Sequence, residues 1–482
     1  MKRRFAALWM AVLVCLCCGT LGGCRKKEEP KPAAQTQKEF QVAEAGEEAL
    51  RVVTDMDWMA RWYRGKTQGY QGQKTFARIL EYFGGMPGGT EVQLEVLPSE
   101  DGSYQAALTR MRTEIMAGGG PDVFYLSGFG SCEDGLPADT LFPNPEHAMA
   151  SGLFLPLDGY MEEARFMEPG KLLDSVMGAG WYEGTQYILP MFYRLPMGVL
   201  LRKAGPEELP AGWEEAAASE EEDIQRMYAM AASGSLPGFR EIAFGRIADN
   251  VGEELLLDRD TLFRRTREAL SLYEKFPGQL LYEENNAHYW ALDYLEYQDY
   301  KEGLREEEGS PAPQETEAPE EEAYTFFAPR GGDGDVIAAV EHWCAVSANT
   351  RRPEEALHIV DIMLSREFLS AMNFWNRQDL SVDMPLLGAT AHGSIPVHTE
   401  LLVNGRMRYR NDSLSLAQRQ ALKEAQESIT VAYITSNVDR ELDHMFIELR
   451  KRVKNGESLT DEDILKVTDK CHSAMKMMLA ES

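Results

Sequence analysis

Cys24 is the residue of this chain most plainly placed for covalent chemistry. It follows Leu21-Gly22-Gly23, a run that resembles the bacterial lipobox, in which the cysteine sulfur is thioether-linked to diacylglycerol and a peptidase cuts just before it. Lys2, Arg3 and Arg4 form a positive n-region, and residues 5–18 are an apolar run too short to remain as a membrane span. The first 23 residues therefore read as a lipoprotein signal peptide, with Cys24 as the mature N-terminus and lipidation site. Each buried CH2 contributes about 0.8 kcal/mol, so two or more acyl chains on one residue anchor a protein stably. The expected location is the extracytoplasmic face of the cell membrane.

Elsewhere, residue types that do catalysis do not fall into working patterns. The eight histidines include no His-Glu-x-x-His and no pair on one helical turn, and no Gly-x-Ser-x-Gly elbow occurs. Cys132, Cys344 and Cys471 are scattered without a Cys-x-x-Cys, which argues against zinc or redox work. Buried free thiols are expected, with a single bridge left open. Acidic pairs are plentiful enough to arise by chance, so a glycosidase-like couple is neither indicated nor removed. Gly118-Gly119-Gly120-Pro121 lacks the Gly-Lys-Ser/Thr ending of a phosphate loop and precedes a strand, which makes it a helix stop. Gly331-Gly332-Asp333-Gly334-Asp335 has too few regularly spaced oxygens for a calcium loop and reads as a turn. No metal and no cofactor are expected. With 49 Lys+Arg against 78 Asp+Glu the net charge is −29, and loss of the three cations in the signal peptide takes it to −32. Such a field repels phosphate backbones and excludes nucleic acid as a partner.

The elements that must position any site begin after a polar, apolar-poor tether over residues 24–50. Arg51-Val52-Val53 predicts a strand, residues 74–83 a helix, and residues 91–97 a strand. Tyr104, Leu108, Met111 and Ile115 recur at helical spacing, and Asp122-Val123-Phe124-Tyr125-Leu126 predicts a buried strand. Strand, helix and strand at this spacing predict a parallel sheet covered by helices. Residues 302–324 are acidic and Pro-rich with no apolar period, and are expected to be a disordered, dispensable insertion. Near the C-terminus, Leu442, Met445, Phe446, Leu449 and Val453 make one helical face. Thr460 and Asp463 make a capping-box-like start for a helix carrying Ile464, Val467, Cys471, Met475 and Met478.

Three segments together, Ala117 to Val123, Gly152-Leu153-Phe154-Leu155-Pro156-Leu157-Asp158 and Gly184-Thr185-Gln186-Tyr187-Ile188-Leu189-Pro190, resemble the extracellular solute-binding proteins of ABC importers, sugar-binding family 1. Val346-Ser347-Ala348 with Pro353-Glu354-Glu355-Ala356, and residues 456–463, follow in the expected order. The resemblance implies an α/β, two-lobe periplasmic-binding-protein-like fold with hinge strands and a helical C-terminal segment. Lobe 1 would hold residues 51–192 and 326–375, and lobe 2 residues 193–325 and 376–482, with a first crossing near residues 191–200. The acidic insertion departs from the family pattern and leaves the completeness of the second lobe open.

The resemblance further implies a non-enzymatic receptor that closes around a small solute, a carbohydrate, and delivers it to ABC permease subunits. Sugars are held by aromatic faces and by amide, carboxylate and Arg groups. With 8 Trp and 19 Tyr to draw on, the positions expected to reach the cleft are Trp58, Asp122, Tyr125, Trp181, Tyr193, Asn373 and Trp375. Two other classes stay open, a secreted lipoprotein enzyme acting on glycans and a sensory or scaffold lipoprotein with no transport role.

Overall fold

The computed structural model describes residues 49–55, 80–98, 101–128, 139–200, 204–205, 208–232, 238–276, 288–290, 325–331, 334–369, 395–403 and 416–481. The signal peptide with Cys24, most of the tether, Trp58, Cys132, the acidic insertion, Asn373 and Trp375 lie outside the described residues.

The first core is built on a seven-stranded mixed sheet. β1 (Leu50–Thr54) runs parallel to β2 (Val92–Val96) on one side and to β3 (Val123–Ser127) on the other. Between them α1 (Asp101–Met116) makes the crossover, and its stripe of Tyr104, Leu108, Met111 and Ile115 is buried against the sheet. The glycine run ends α1 as its spacing predicts: Gly118 has φ 83° and donates to the Ile115 carbonyl at 3.0 Å, while Gly119 donates to that of Glu114 at 2.9 Å. α2 (Pro145–Ala150) starts with its Asn144 side chain accepting from the His147 N–H.

β4 (Ile188–Arg194) leads out of this sheet, and after Leu195-Pro196-Met197 the chain forms β5 (Gly198–Leu200), the middle strand of a separate antiparallel sheet. The edges of that sheet are β6 (His288–Trp290) and β7 (Thr325–Phe327). A second hydrophobic core forms from α3 (Glu222–Ala232), α4 (Phe239–Phe244) and α5 (Arg259–Lys275), with Trp213 fully buried among them. The chain then returns through β8 (Ile337–Val346), a ten-residue strand in the middle of the first sheet. β8 lies antiparallel to β3 and β4, so the sheet is mixed where strand-helix-strand spacing alone predicts a parallel one. α6 (Pro353–Met363) follows β8.

The last third differs from the expected lobe division. β9 (Ile395–Pro396) pairs with β4, and after α7 (Leu416–Glu427) β10 (Val431–Ile434) pairs in parallel with β8. Ile395, Leu401, Ala425, Ile429 and Ile434 therefore belong to the first core, and the chain joins the second only at Val438. The reason is that residues 337–340 of β8 extend beyond the end of β3, leaving an open edge that β10 fills. α8 (Asn437–Lys454) and α9 (Asp461–Ala480) complete the second core through Leu442, Met445, Phe446, Leu449, Ile464, Cys471 and Met475. Thr460 and Asp463 form the expected capping box, with the Asp463 N–H donating to Thr460 Oγ1 at 3.2 Å. Cys344 and Cys471 are free and buried.

One buried carboxylate organises a loop of the first core. Asp361 of α6, 7% exposed, accepts the backbone N–H groups of Arg165, Phe166 and Met167, each at 2.9 Å. Asp361→Ala orphans all three donors and is expected to lower unfolding free energy by on the order of 3 kcal/mol, with Asp361→Asn losing less. Urea titration measures both. A midpoint unchanged in the alanine variant would show that these donors find equivalent partners elsewhere.

Candidate functional site

β1, β3 and β4 run in one direction; β3 and β4 end beside the same stretch of β8, and β1 ends next to β3. Ser127 lies opposite His342, Arg194 lies opposite Ala339, and Asp55 at the end of β1 accepts from the Ser127 N–H at 2.8 Å. β10 runs the other way and ends with Ile434 opposite Val340. The carboxyl ends of β3 and β10 thus meet head to head at Glu341. In open α/β sheets ligands bind outside carboxyl strand ends where the strand order switches. Gly128 seals the meeting point: its N–H donates to the Glu341 carbonyl at 2.7 Å, Thr435 Oγ1 donates to its carbonyl, and a Cβ there would lie 2.4 Å from the Val340 oxygen.

This convergence is also where the chain passes between the two cores. Among the described residues the chain changes core between Met197 and Leu200, between Phe327 and Ala328, and between Ile434 and Val438. A network of charges is buried across them. Arg240 of α4 donates to Tyr433 OH of β10 at 3.0 Å, to Glu241 Oε1 at 2.9 Å and to Asp443 of α8, and Tyr433 OH donates to Glu241 Oε1 at 2.9 Å. Arg240, Glu241, Tyr433 and Asp439 are each 3–4% exposed. Burial opposes the Arg240 charge, yet Asp443, Tyr433, Glu241 and Asp439 outweigh it and hold its pKa well above the usual value. Burial alone would raise Glu241, but Arg240 and Arg194 hold it below the usual carboxylate range. Asp443 goes the other way, pushed up to about 6 by burial despite Arg240.

The two cores are tied at a second place beside the third passage. Arg246 Nη2 lies 3.3 Å from both carboxylate oxygens of Glu146 on α2, and Asn250 Nδ2 donates to one of them at 3.3 Å. The Asn437 N–H at the start of α8 donates to the Pro143 carbonyl at 2.7 Å. Burial raises the Glu146 pKa, with Arg246 and Asn250 opposing.

Of the residues expected from sequence to reach the cleft, those described are Asp122, Tyr125, Trp181 and Tyr193, the last opposite Val340. Asp122 and Trp181 precede β3 and β4, at the amino ends of strands whose carboxyl ends face the passages. Asp122 accepts from the Arg51 N–H at 2.9 Å and from Thr350 Oγ1 at 2.6 Å. Trp181, 53% exposed, donates through its indole N–H to Gln186 within a two-strand hairpin. The Tyr125 ring is fully buried, edge-on to His342 and Phe368, and its pKa is driven up by burial. Tyr193 is likewise 0% exposed, and Gln426 Nε2 donates to its hydroxyl. Trp58, Asn373 and Trp375 lie outside the described residues. Sequence reading passed over Arg194, Arg240, Glu241, Glu341 and Asp443. For Glu341 and Arg194 a signal existed, since each is a charge closing or interrupting an otherwise apolar strand. Among the described residues no group of His, Cys, Asp and Glu could hold a metal ion, and no helix is long and apolar enough to cross a membrane.

Replacing Arg240 with Met would leave Glu241, Asp439 and Asp443 without their shared cation. The expected cost is about 3–5 kcal/mol at pH 7. Because the native Glu241 pKa lies below its unfolded value, its contribution is present above the usual carboxylate range and fades as pH falls. The gap between wild type and Arg240→Met should therefore narrow at pH 4. Urea unfolding at the two pH values reads this, and an equal gap at both would refute the network's electrostatic role.

No family model matches the chain, and no curated protein matches it in sequence. Solved structures match it in fold. The sugar-binding protein MalE of Xanthomonas citri matches with a TM-score of 0.50 at 12% identity, covering 90% of this chain and 98% of that one. A periplasmic oligogalacturonide-binding protein of Yersinia enterocolitica gives 0.49 at 12% identity over 90% and 99% of the chains. An extracellular solute-binding protein family 1 from Alicyclobacillus acidocaldarius gives 0.47 at 14% identity over 90% and 98%. All three are named as binding proteins. At these identities the likeness is one of fold, and it gives this chain the two-lobe α/β architecture of the Xanthomonas citri sugar-binding protein.

Proposed function

We propose that this protein is a lipid-anchored extracellular receptor that closes around a small hydroxylated solute, a carbohydrate, and presents it to the permease of an ABC importer. The observation that carries the reading is the repeated passage of the chain between two separately cored units on short segments, which is the construction of a hinge. Ligand stabilises the closed form by the difference between its affinities for closed and open, and the permease responds to closure. The shared fold with a sugar-binding protein supports the solute class. The lipobox-like run before Cys24 supports the anchor. Trp58, which follows Asp55 by three residues in sequence, and Trp375 with Asn373 supply the stacking faces and amide in this reading, whereas Tyr125 and Tyr193 serve the core.

The test is a thermal-shift screen of neutral oligosaccharides, polyols and peptides. A solute present at about 100 times its Kd should stabilise the protein by roughly 2.7 kcal/mol, a readily measured rise in Tm. Trp58→Ala and Trp375→Ala should each weaken a sugar hit by about 1–3 kcal/mol, by analogy with base–aromatic stacking. Stabilisation by peptides alone would replace the carbohydrate and keep the receptor. For the anchor, Cys24→Ala should abolish fatty-acid labelling and leave the precursor uncut. Equal label in the variant would remove the lipoprotein assignment.

A further inference from the structure

Glu341 is the odd residue of β8. It stands inside a ten-residue strand, IAAVEHWCAV, that is buried almost throughout. On the β4 side, Val340 pairs with Tyr193 and His342 with Phe192, so Glu341 is the extra residue of a β-bulge with no partner on that strand. On the other side it falls in the gap between β10, which ends at Val340, and β3, which ends at His342. Bulges re-aim side chains and are over-represented next to active sites. Here the residue so placed is an acid at the convergence of four carboxyl strand ends. Glu341 as a whole is half-buried, yet its Oε2 is shielded and accepts no hydrogen bond from any described residue. A buried carboxylate oxygen with no donor costs free energy that a ligand's donors could recover.

The surroundings narrow what that ligand offers. From β4, Arg194 is the charge acting on Glu341, and Glu241 of α4 and Asp443 of α8 also feel Arg194. Asp55 at the end of β1 is engaged by the Ser127 N–H at 2.8 Å and hydroxyl at 3.1 Å, and Tyr433 of β10 by Arg240 and Glu241. His342, next along β8, has its ring edge-on to Tyr125 and Phe192, and burial pushes its pKa down to about 3, so it carries no charge at neutral pH. A cationic ligand group would meet Arg194, and an anionic one would meet Glu341. Neutral hydroxyl donors satisfy the carboxylate without adding charge.

We infer that Glu341 is a solute-binding residue whose carboxylate accepts hydrogen bonds from hydroxyl groups of a sugar or polyol seated where the strand ends converge. The inference rests on the receptor reading and adds to it a named acceptor and a pH dependence. Burial pushes Glu341 up to about 7, and hydroxyl donors favour its charged form. Binding should therefore release part of a proton near pH 7. Affinity should rise with pH up to about 7 or 8 and fall by up to about tenfold per unit below that.

Calorimetry of the full chain with the best sugar or polyol from the screen tests this between pH 5.5 and 8.5. At pH 7, repetition in two buffers of different ionisation enthalpy counts protons on the wild-type protein, so this arm does not depend on a variant folding. Glu341→Gln is isosteric, and it should bind at least about tenfold more weakly at pH 8 and lose the pH dependence. Asp443→Asn, which removes the neighbouring group that titrates near 6, should keep it. In the absence of solute, Glu341→Gln should also be more stable than wild type above pH 7, since a raised native carboxyl pKa costs stability as pH rises through it. Wild-type affinity and pH profile in Glu341→Gln, or no proton release by wild type, would overturn the inference and leave the receptor standing. A slope lost in Asp443→Asn but kept in Glu341→Gln would overturn it as well. Failure of wild type to bind any hydroxylated compound would overturn the carbohydrate reading and this inference together.

Discussion

A ten-residue strand buried on both faces must satisfy the backbone groups of both its edges, and this requirement on β8 shapes the rest of the molecule. β4 runs along one edge. No single strand covers the other, so β3 and β10 divide it, approaching from opposite directions and stopping at Val340 and His342. The gap between their ends is closed by Gly128 and Thr435, and it is filled by a bulge. Beside this stretch of β8 the chain leaves for the second core after β4 on one edge and again after β10 on the other. Sheet closure and lobe connection are thus one geometric event.

The charges buried at that event set how the two cores meet. Arg240, Glu241, Tyr433 and Asp443 come from α4, β10 and α8, and their hydrogen bonds are mutually dependent. An apolar junction would tolerate many relative positions, whereas a buried guanidinium surrounded by three carboxylates and a phenol tolerates few. The Glu146 contact to Arg246 and Asn250 adds a tie beside the third passage. Any rotation of one core against the other would have to preserve the first network or exchange its partners.

Local structure was readable wherever neighbours in sequence decide it. The α1 stripe, the glycine stop after it and the Thr460–Asp463 capping box all depend on spacings of a few residues, and all appear as expected. The site was less readable. Sugars stack on aromatic faces, but Tyr125 and Tyr193 are buried in the sheet's packing, Asp122 precedes β3, and Trp181 lies in a hairpin before β4. Which end of a strand faces the other core depends on the direction in which distant strands pair, and residue type does not carry that.

The sequence by itself determined the α/β class, the helices and strands set by local spacing, the scattered placement of the cysteines, and the excess of acid. These follow from periodicity and composition, which act over a turn of helix or a few strand residues. Only the tertiary structure decided that Ile395, Leu401, Ala425, Ile429 and Ile434 belong to the first core, that β8 runs against β3 and β4, and that Glu341 stands at a bulge. Those outcomes rest on pairings between residues about one hundred to two hundred positions apart. Such pairings are selected by which edge is left open once the other strands are in place, a condition no local stretch of sequence contains.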